Sequence, residues 1–289
     1  TDIEESRGEG DARYVRRTIH LQRALAAGGR IALMASGNKV AWVAGTAMLA
    51  AAKIIENMEL GHNITHGQWD WMNDPEIHST EWEWDTTSPS VQWKYTHNFV
   101  HHKYTNILGM DDDVGYFILR VTRDQPWQRY NIGNLPYNLI LALAFEWAIG
   151  LQTVNLEKVF EDGPEGDLSR QRTREFTTKA GRQIVKDYVA FPALTSLSPA
   201  ATYKSTLKAT AVANVIRSIS SSLGIVSGFH GPGPAESGRR LPEQPPRQLH
   251  GTALFRRRHP RAHRRQSGEE RQRARGAPSA VRLARGAGG

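Results

Sequence analysis

Hydrophobic positions along this chain gather into four runs separated by polar and charged stretches, and that pattern predicts an all-α protein. Residues 1–30 form a polar lead-in where Tyr14, Val15, Ile19, Leu21 and Leu25 recur at roughly helical spacing, as on an amphipathic helix. The first apolar run, Ile31–Ile55, carries only Lys39 and Lys53 as charges. A second, Ile132–Val154, is interrupted by Glu146, and a third, Tyr188–Ala201, contains two prolines. The last, Ala209–Gly228, is broken by Arg217 and several serines. Between the second and third, Asn155–Asp187 is charged and helix-prone, as a solvated surface helix or loop would be. A bilayer-crossing helix needs about 20 apolar residues, and the two longest runs reach that length. Hydropathy alone leaves two readings open: a helical membrane protein with about four membrane helices, or a soluble bundle with buried helices.

Composition changes that picture at one end of the chain. The formal charge is +8, yet residues 228–289 alone hold 14 Arg against 4 Glu, so residues 1–227 are slightly acidic. The high isoelectric point therefore belongs to the tail, and a nucleic-acid-binding reading of the whole protein is set aside. Residues 228–289 contain no Lys, Asp, Asn, Ile, Met, Trp or Tyr and no apolar periodicity, so a basic disordered segment is expected there. The change is abrupt, cuts into an apolar run, and has the composition of a GC-rich gene translated out of frame. There are no cysteines, which excludes disulfides, thiolate-bound zinc, iron–sulfur ligation and thiol nucleophiles. Thr1–Arg17 has no apolar segment of the signal-peptide kind.

The chemistry lies in the histidines. Five of the 11 fall in two groups: His62-Asn63-Ile64-Thr65-His66, and His97-Asn98-Phe99-Val100-His101-His102. A spacing of i, i+4 puts two imidazoles on one helix face. His102 lies about 100° further round, toward a neighbouring metal or the far side of the same one. Imidazole suits iron, copper, zinc or nickel. A single such pair is a weak signal, but two within residues 62–102, one ending in a His-His doublet, make a metal site the better reading. Zinc-protease chemistry is disfavoured because Asn63 stands where H-E-x-x-H needs Glu. Ferritin-like di-iron sites, built on Glu and Glu-x-x-His, are disfavoured too.

At Lys53–Asp85, Tyr95–Arg120 and Lys186–Arg217 the chain resembles the membrane fatty-acid desaturases, of the bacterial acyl-CoA type, over roughly residues 12–227. The resemblance implies an integral membrane protein with its histidine boxes in a cap on the cytoplasmic side. It implies a desaturase domain over residues 31–227, incomplete because the family's third box, H-x-x-H-H, is missing here. It implies two non-haem irons held by His62, His66, His97, His101 and His102, with O2 as co-substrate and a long-chain fatty acyl substrate on CoA or a lipid. Carboxylates at Glu59, Asp70, Asp111, Asp112 and Asp113 are candidates to orient imidazole N–H groups. Trp69, Trp71, Trp82 and Trp84 stand between an acyl channel, a headgroup belt and core packing. The sequence carries no motif for a flavin, a nicotinamide or a fused haem domain, so electrons are expected from an external ferredoxin-like or haem protein with its reductase.

The remaining histidines have plainer readings. His20 and His78 are surface candidates, and His259-Pro-Arg-Ala-His263 is disqualified as a metal pair by Pro260 and the surrounding arginines. His230 falls near the family's additional ligand, but in a Gly-Phe-His-Gly-Pro context. A di-iron hydroxylase of alkyl or sterol chains, or a non-catalytic desaturase remnant, are the competing functions.

Overall fold

The computed structural model describes residues 7–228, in which every regular element is helical. Helix α1 (Glu9–Leu33) starts where the Asp11 carboxylate accepts from the Gly8 N–H at 3.1 Å. Its first turn is acidic and its last basic, both favourable to the helix dipole. Helix α2 (Lys39–Ile54) is capped by Asn38, whose side chain accepts from the N–H groups of Val40 and Ala41 at 2.8 and 3.3 Å. Without a break, α2 passes into π turns at Ile55–Gly61 and one α turn at His62–Thr65. A short helix α3 (Ser90–Trp93) does the same, through π turns at Lys94–His101 to His102–Tyr104. Then come α4 (Asn134–Leu143), α5 (Phe145–Gln152) and α6 (Pro164–Ile184), the last with proline in its first turn. Helix α6 also turns π at Val185–Ala190 before Phe191–Thr195, and α7 (Tyr203–Gly228) follows.

The helices α1 and α2 form an antiparallel hairpin that closes at two glycines. A Cβ on Gly45 would meet Leu33 Cγ at 2.8 Å and the Gly29 carbonyl oxygen at 2.9 Å. Because one of those partners is backbone, the crossing has no slack. Gly45→Val is therefore expected to destabilise the fold by about 1–3 kcal/mol through overpacking. The check is the thermal midpoint of the variant; an unchanged midpoint would show that the hairpin separates freely. On its other side α2 carries α7, with Leu33, Leu49 and Ala50 packed against Ala209 and Ala213. The hairpin turn is tied to the start of α7. Gly37 N–H donates to the Ala200 carbonyl at 2.8 Å, Ser205 Oγ to the Ser36 carbonyl at 3.0 Å, and Trp42 Nε1 to the Ser205 carbonyl at 3.0 Å.

The all-α expectation holds, but the boundaries differ. The lead-in is not separate from the first apolar run: α1 continues to Leu33, and Ile31–Ile55 is split by the turn before Asn38. The run Tyr188–Ala201 is divided among π turns, a short helix and turns rather than one helix. No single described helix is long and apolar enough to cross a membrane. Residues Arg129–Leu143 and Phe145–Gln152 together reach that length, but they bend by 96°. The tail with His230, His250, His259 and His263 lies outside the described residues.

Candidate metal centre

Both histidine groups sit directly at a change between π and α hydrogen bonding. This shifts the face a helix presents, and π turns of this kind concentrate at functional sites. His62 opens the α turn after Gly61, and His66 closes it with its N–H on the His62 carbonyl at 3.2 Å. The two box helices are tied by Asn98, whose Nδ2 donates to the Thr65 carbonyl at 2.7 Å. From outside, Val15 and Ile19 of α1 pack against Leu60, Ile64 and Ile77, bracing the first box.

All five sequence-identified histidines converge. The His97 ring lies 5.2 Å from those of His62 and His66, 5.0 Å from His101 and 4.9 Å from His102. His66 and His102 are 4.9 Å apart. Two sets of three ligand atoms are close enough to hold an ion: His62, His66 and His97, and then His97, His101 and Asp113. The Nε2 atoms of His62 and His66 face each other at 3.0 Å. Burial, with the neighbouring imidazoles adding to it, pushes His62 down to about 4 and His66 down to about 3. Both rings are thus neutral near pH 7, and their Nε2 atoms meet at one spot. Imidazole ligands of one first-row metal ion, bonded at about 2.1 Å, are held at about this separation. The donor set fits a metal.

Carboxylates complete the second group. His101 Nδ1 lies 3.1 and 3.0 Å from the two oxygens of Asp111, and 3.4 Å from Asp113; His97 Nδ1 is 3.6 Å from Asp113. An ionised carboxylate can only accept, so His101 carries its proton on Nδ1 and offers Nε2 as a ligand. The Asp111 bond raises the His101 pKa. Burial alone would raise Asp111 too, but hydrogen bonds from His101 and the N–H groups of Asn106 and Asp113 outweigh it, and its pKa falls. Desolvation lowers His102, the most exposed of the five.

Other candidates go elsewhere. Glu59 accepts from the Tyr14 hydroxyl at 2.5 Å, and Asp70 accepts from the Ser79 N–H and hydroxyl at 2.7 and 2.6 Å. Neither touches an imidazole of the cluster. His20 is exposed on α1, and His78 Nδ1 pairs with the Thr80 hydroxyl at 2.9 Å. Trp69 and Trp82 pack in the core beneath α1 and Trp71 is exposed, whereas Trp84 reaches the site. Trp93, which the sequence reading passed over, stacks on His97 at 4.3 Å with 20° between the planes. Its position one turn before His97 was the available signal. A pocket opens beside His62 and His97, with apolar walls at Met58, Trp84, Trp93, Phe145 and Ile149.

Residues 39–229 match the family model for the fatty acid desaturases. The chain belongs to the fatty acid desaturase family. Two curated relatives, each described as an NADPH-dependent stearoyl-CoA 9-desaturase of Mycobacterium tuberculosis, one from strain CDC 1551/Oshkosh and one from strain ATCC 25618/H37Rv, are 63% identical to it over 235 residues. The match covers 81% of this chain and 55% of each relative, so the chain spans about half the length of the desaturases it matches. No solved structure matches it.

Proposed function

We propose that this chain is the two-box part of a membrane-embedded acyl-CoA desaturase, which uses O2 and two non-haem irons to place a double bond in a long acyl chain. The observation that carries the reading is the meeting of five imidazoles from two helices, three of them with ligand nitrogens within 4.8 Å of one another, in a chain 63% identical to stearoyl-CoA 9-desaturases. The metal would be held by His62, His66, His97, His101 and His102, with Asp111 fixing the His101 tautomer. Iron with O2 supplies the oxidising power needed to take two hydrogens from adjacent methylenes. The protein's own part is to lay the methylene chain along Met58, Trp84, Trp93, Phe145 and Ile149, beside His62 and His97, and to keep water from it. Electrons come from an external ferredoxin-like or haem protein and its reductase, with NADPH as the source, as the relatives' description suggests.

Membrane embedding is supported by an inverted helix pattern. On α7, Val212, Val215, Ile216 and Leu223 are exposed while Thr206, Thr210, Asn214, Arg217, Ser218 and Ser221 are buried. On α4, Ile132 just before it and Leu135, Leu139 and Ile140 within it are exposed. A water-facing helix has the opposite arrangement. The resemblance to the membrane desaturases supports putting the cap with the boxes on the cytoplasmic side. Residues 228–289 are proposed to be an out-of-frame continuation, since the family match stops at 229, where the composition changes. Translating the coding DNA in all three frames should recover an H-x-x-H-H box in one of them.

The test is product analysis. Membranes containing the chain with its third box restored in frame, a ferredoxin-like donor and its reductase are given NADPH, O2 and an 18-carbon acyl-CoA. A monounsaturated product with its double bond at carbon 9 is expected. An alcohol would assign a hydroxylase instead. If no frame supplies the third box, absence of product with fewer than two irons per chain would assign a non-catalytic remnant.

A further inference from the structure

Two charges stood out in the sequence as interruptions of apolar runs, Glu146 and Arg217. In the fold they find each other. Arg217 Nη2 is bonded to Glu146 Oε2, with the arginine wholly inaccessible and the glutamate 8% exposed. A buried ion pair of this kind gains little stability over an apolar pair of the same volume, because desolvation offsets the attraction. Stability therefore does not account for its presence, and its further contacts point to another role.

One loop is held on one side by the Arg217 side chain and on the other by the backbone at Glu146. Arg217 Nη1 donates to the Asp85 carbonyl at 3.2 Å, and the Thr87 hydroxyl donates to the Glu146 carbonyl at 2.8 Å. Within that loop, Trp84 Nε1 donates to the Ser88 carbonyl at 2.6 Å, which folds the segment into a tight arch. Lys186 and Lys179 hold the same loop from α6 and its continuation, through Asp85 and Glu83.

What the arch presents to the site is the Trp84 ring, which rests on the start of the first histidine group and reaches the second through Trp93. A Cβ on Gly61, the residue before His62, would lie 3.1 Å from Trp84 Cβ and Cε3, so the indole rests directly on the backbone that starts the first box. Trp84 also packs on Trp93 at 4.9 Å, and Trp93 stacks on His97 and meets His62 edge-on at 5.3 Å. A continuous packed path thus runs from the ion pair, through the arch and two indoles, to His62 and His97. The pair itself lines the same pocket.

We infer that the Glu146–Arg217 pair is a clamp that positions the metal ligands: it fixes the Trp84–Ser88 arch, and through Trp84 and Trp93 sets the orientation of His62 and His97. Glu146 and Arg217 are positioning residues, and the inference rests on the metal reading given above.

The test is the double variant Glu146→Leu, Arg217→Leu. It removes the ion pair and the Arg217 bond to the Asp85 carbonyl without leaving a lone buried charge, and keeps the Thr87 bond to the Glu146 backbone carbonyl. Three quantities are read on the purified full chain: thermal midpoint, hydrogen exchange of residues 83–93, and Co(II) affinity from the visible absorption of the bound ion. The midpoint is expected to hold or rise, while exchange across 83–93 quickens at least tenfold and Co(II) affinity falls about 10- to 100-fold, the usual effect of losing support behind metal ligands. Glu146→Gln, which keeps an oxygen acceptor for Arg217, should restore most of both. Unchanged exchange and unchanged affinity in the double variant would overturn the clamp. So would a midpoint that falls in step with affinity, since that is the mark of a general packing role. If wild type itself takes up no Co(II), the metal reading fails, and exchange across 83–93 still decides whether the pair holds the arch.

Discussion

Replacing His97 by alanine is expected to weaken metal binding at least 100-fold, more than the 10- to 100-fold seen when a group behind a ligand is lost. His97 is the one histidine common to both sets of three ligand atoms, and it lies near the centre of the cluster. Losing any other imidazole leaves at least one set intact; losing this one leaves neither. Alanine also removes a ring stacked on Trp93, so a fall in affinity could arise from disturbed packing alone. His97→Phe separates the two effects, because it keeps an aromatic ring against Trp93 and has no donor nitrogen. Both variants should lose binding, and the phenylalanine variant should keep a thermal midpoint near that of the wild type. His78→Ala, whose ring pairs with Thr80 outside the cluster, should bind Co(II) as wild type does. Near-wild-type affinity in His97→Phe would show that the two boxes do not share a metal centre.

What the sequence made legible follows from how local each signal is. The histidine boxes could be read because each set of ligands lies within a few residues on one helix, where spacing alone determines the face. That His97 and His101 sit on π rather than α turns was not legible, since that choice depends on hydrogen-bond register. Among five candidate carboxylates, Asp111 and Asp113 could not be separated from Glu59 and Asp70. The choice is made by the loop after His102, which turns back on His101, and a loop has no periodicity to betray its path. The first apolar run reads as continuous because the turn before Asn38 keeps apolar neighbours on both sides. Only the Asn38 cap and the ties to Ala200 and Ser205 mark the break. Glu146 and Arg217 looked like blemishes in two separate runs, and nothing along the chain says that they neutralise each other.

The second large effect is expected at Asp111. Asp111→Asn should lower metal affinity by about 10- to 100-fold, because an amide presents one acceptor where the carboxylate presents two and carries no charge to polarise the His101 imidazole. The pH dependence of the metal-free protein gives an independent readout. In the wild type, the Asp111 hydrogen bond raises the His101 pKa above its ordinary 6.5, and hydrogen bonds to Asp111 hold its carboxyl below 3.8. A raised histidine contributes stability that is complete below its unfolded pKa and is lost as pH rises through the folded value. A depressed aspartate contributes stability that is present above its unfolded pKa and is lost as pH falls through the folded value. The two conditions overlap between about pH 4 and 6.5, where His101 is charged and Asp111 ionised. Wild type and Asp111→Asn should therefore differ most in that window. The part of the difference that comes from charged His101 should fade as pH rises through its raised folded pKa, while the part from the N–H groups bonded to Asp111 persists. The His101 ring, followed by NMR in the metal-free chain, should titrate at a lower pH in the variant. A His101 titration unmoved by the substitution would mean that Asp111 does not govern the tautomer, and the loss of affinity would then need another cause.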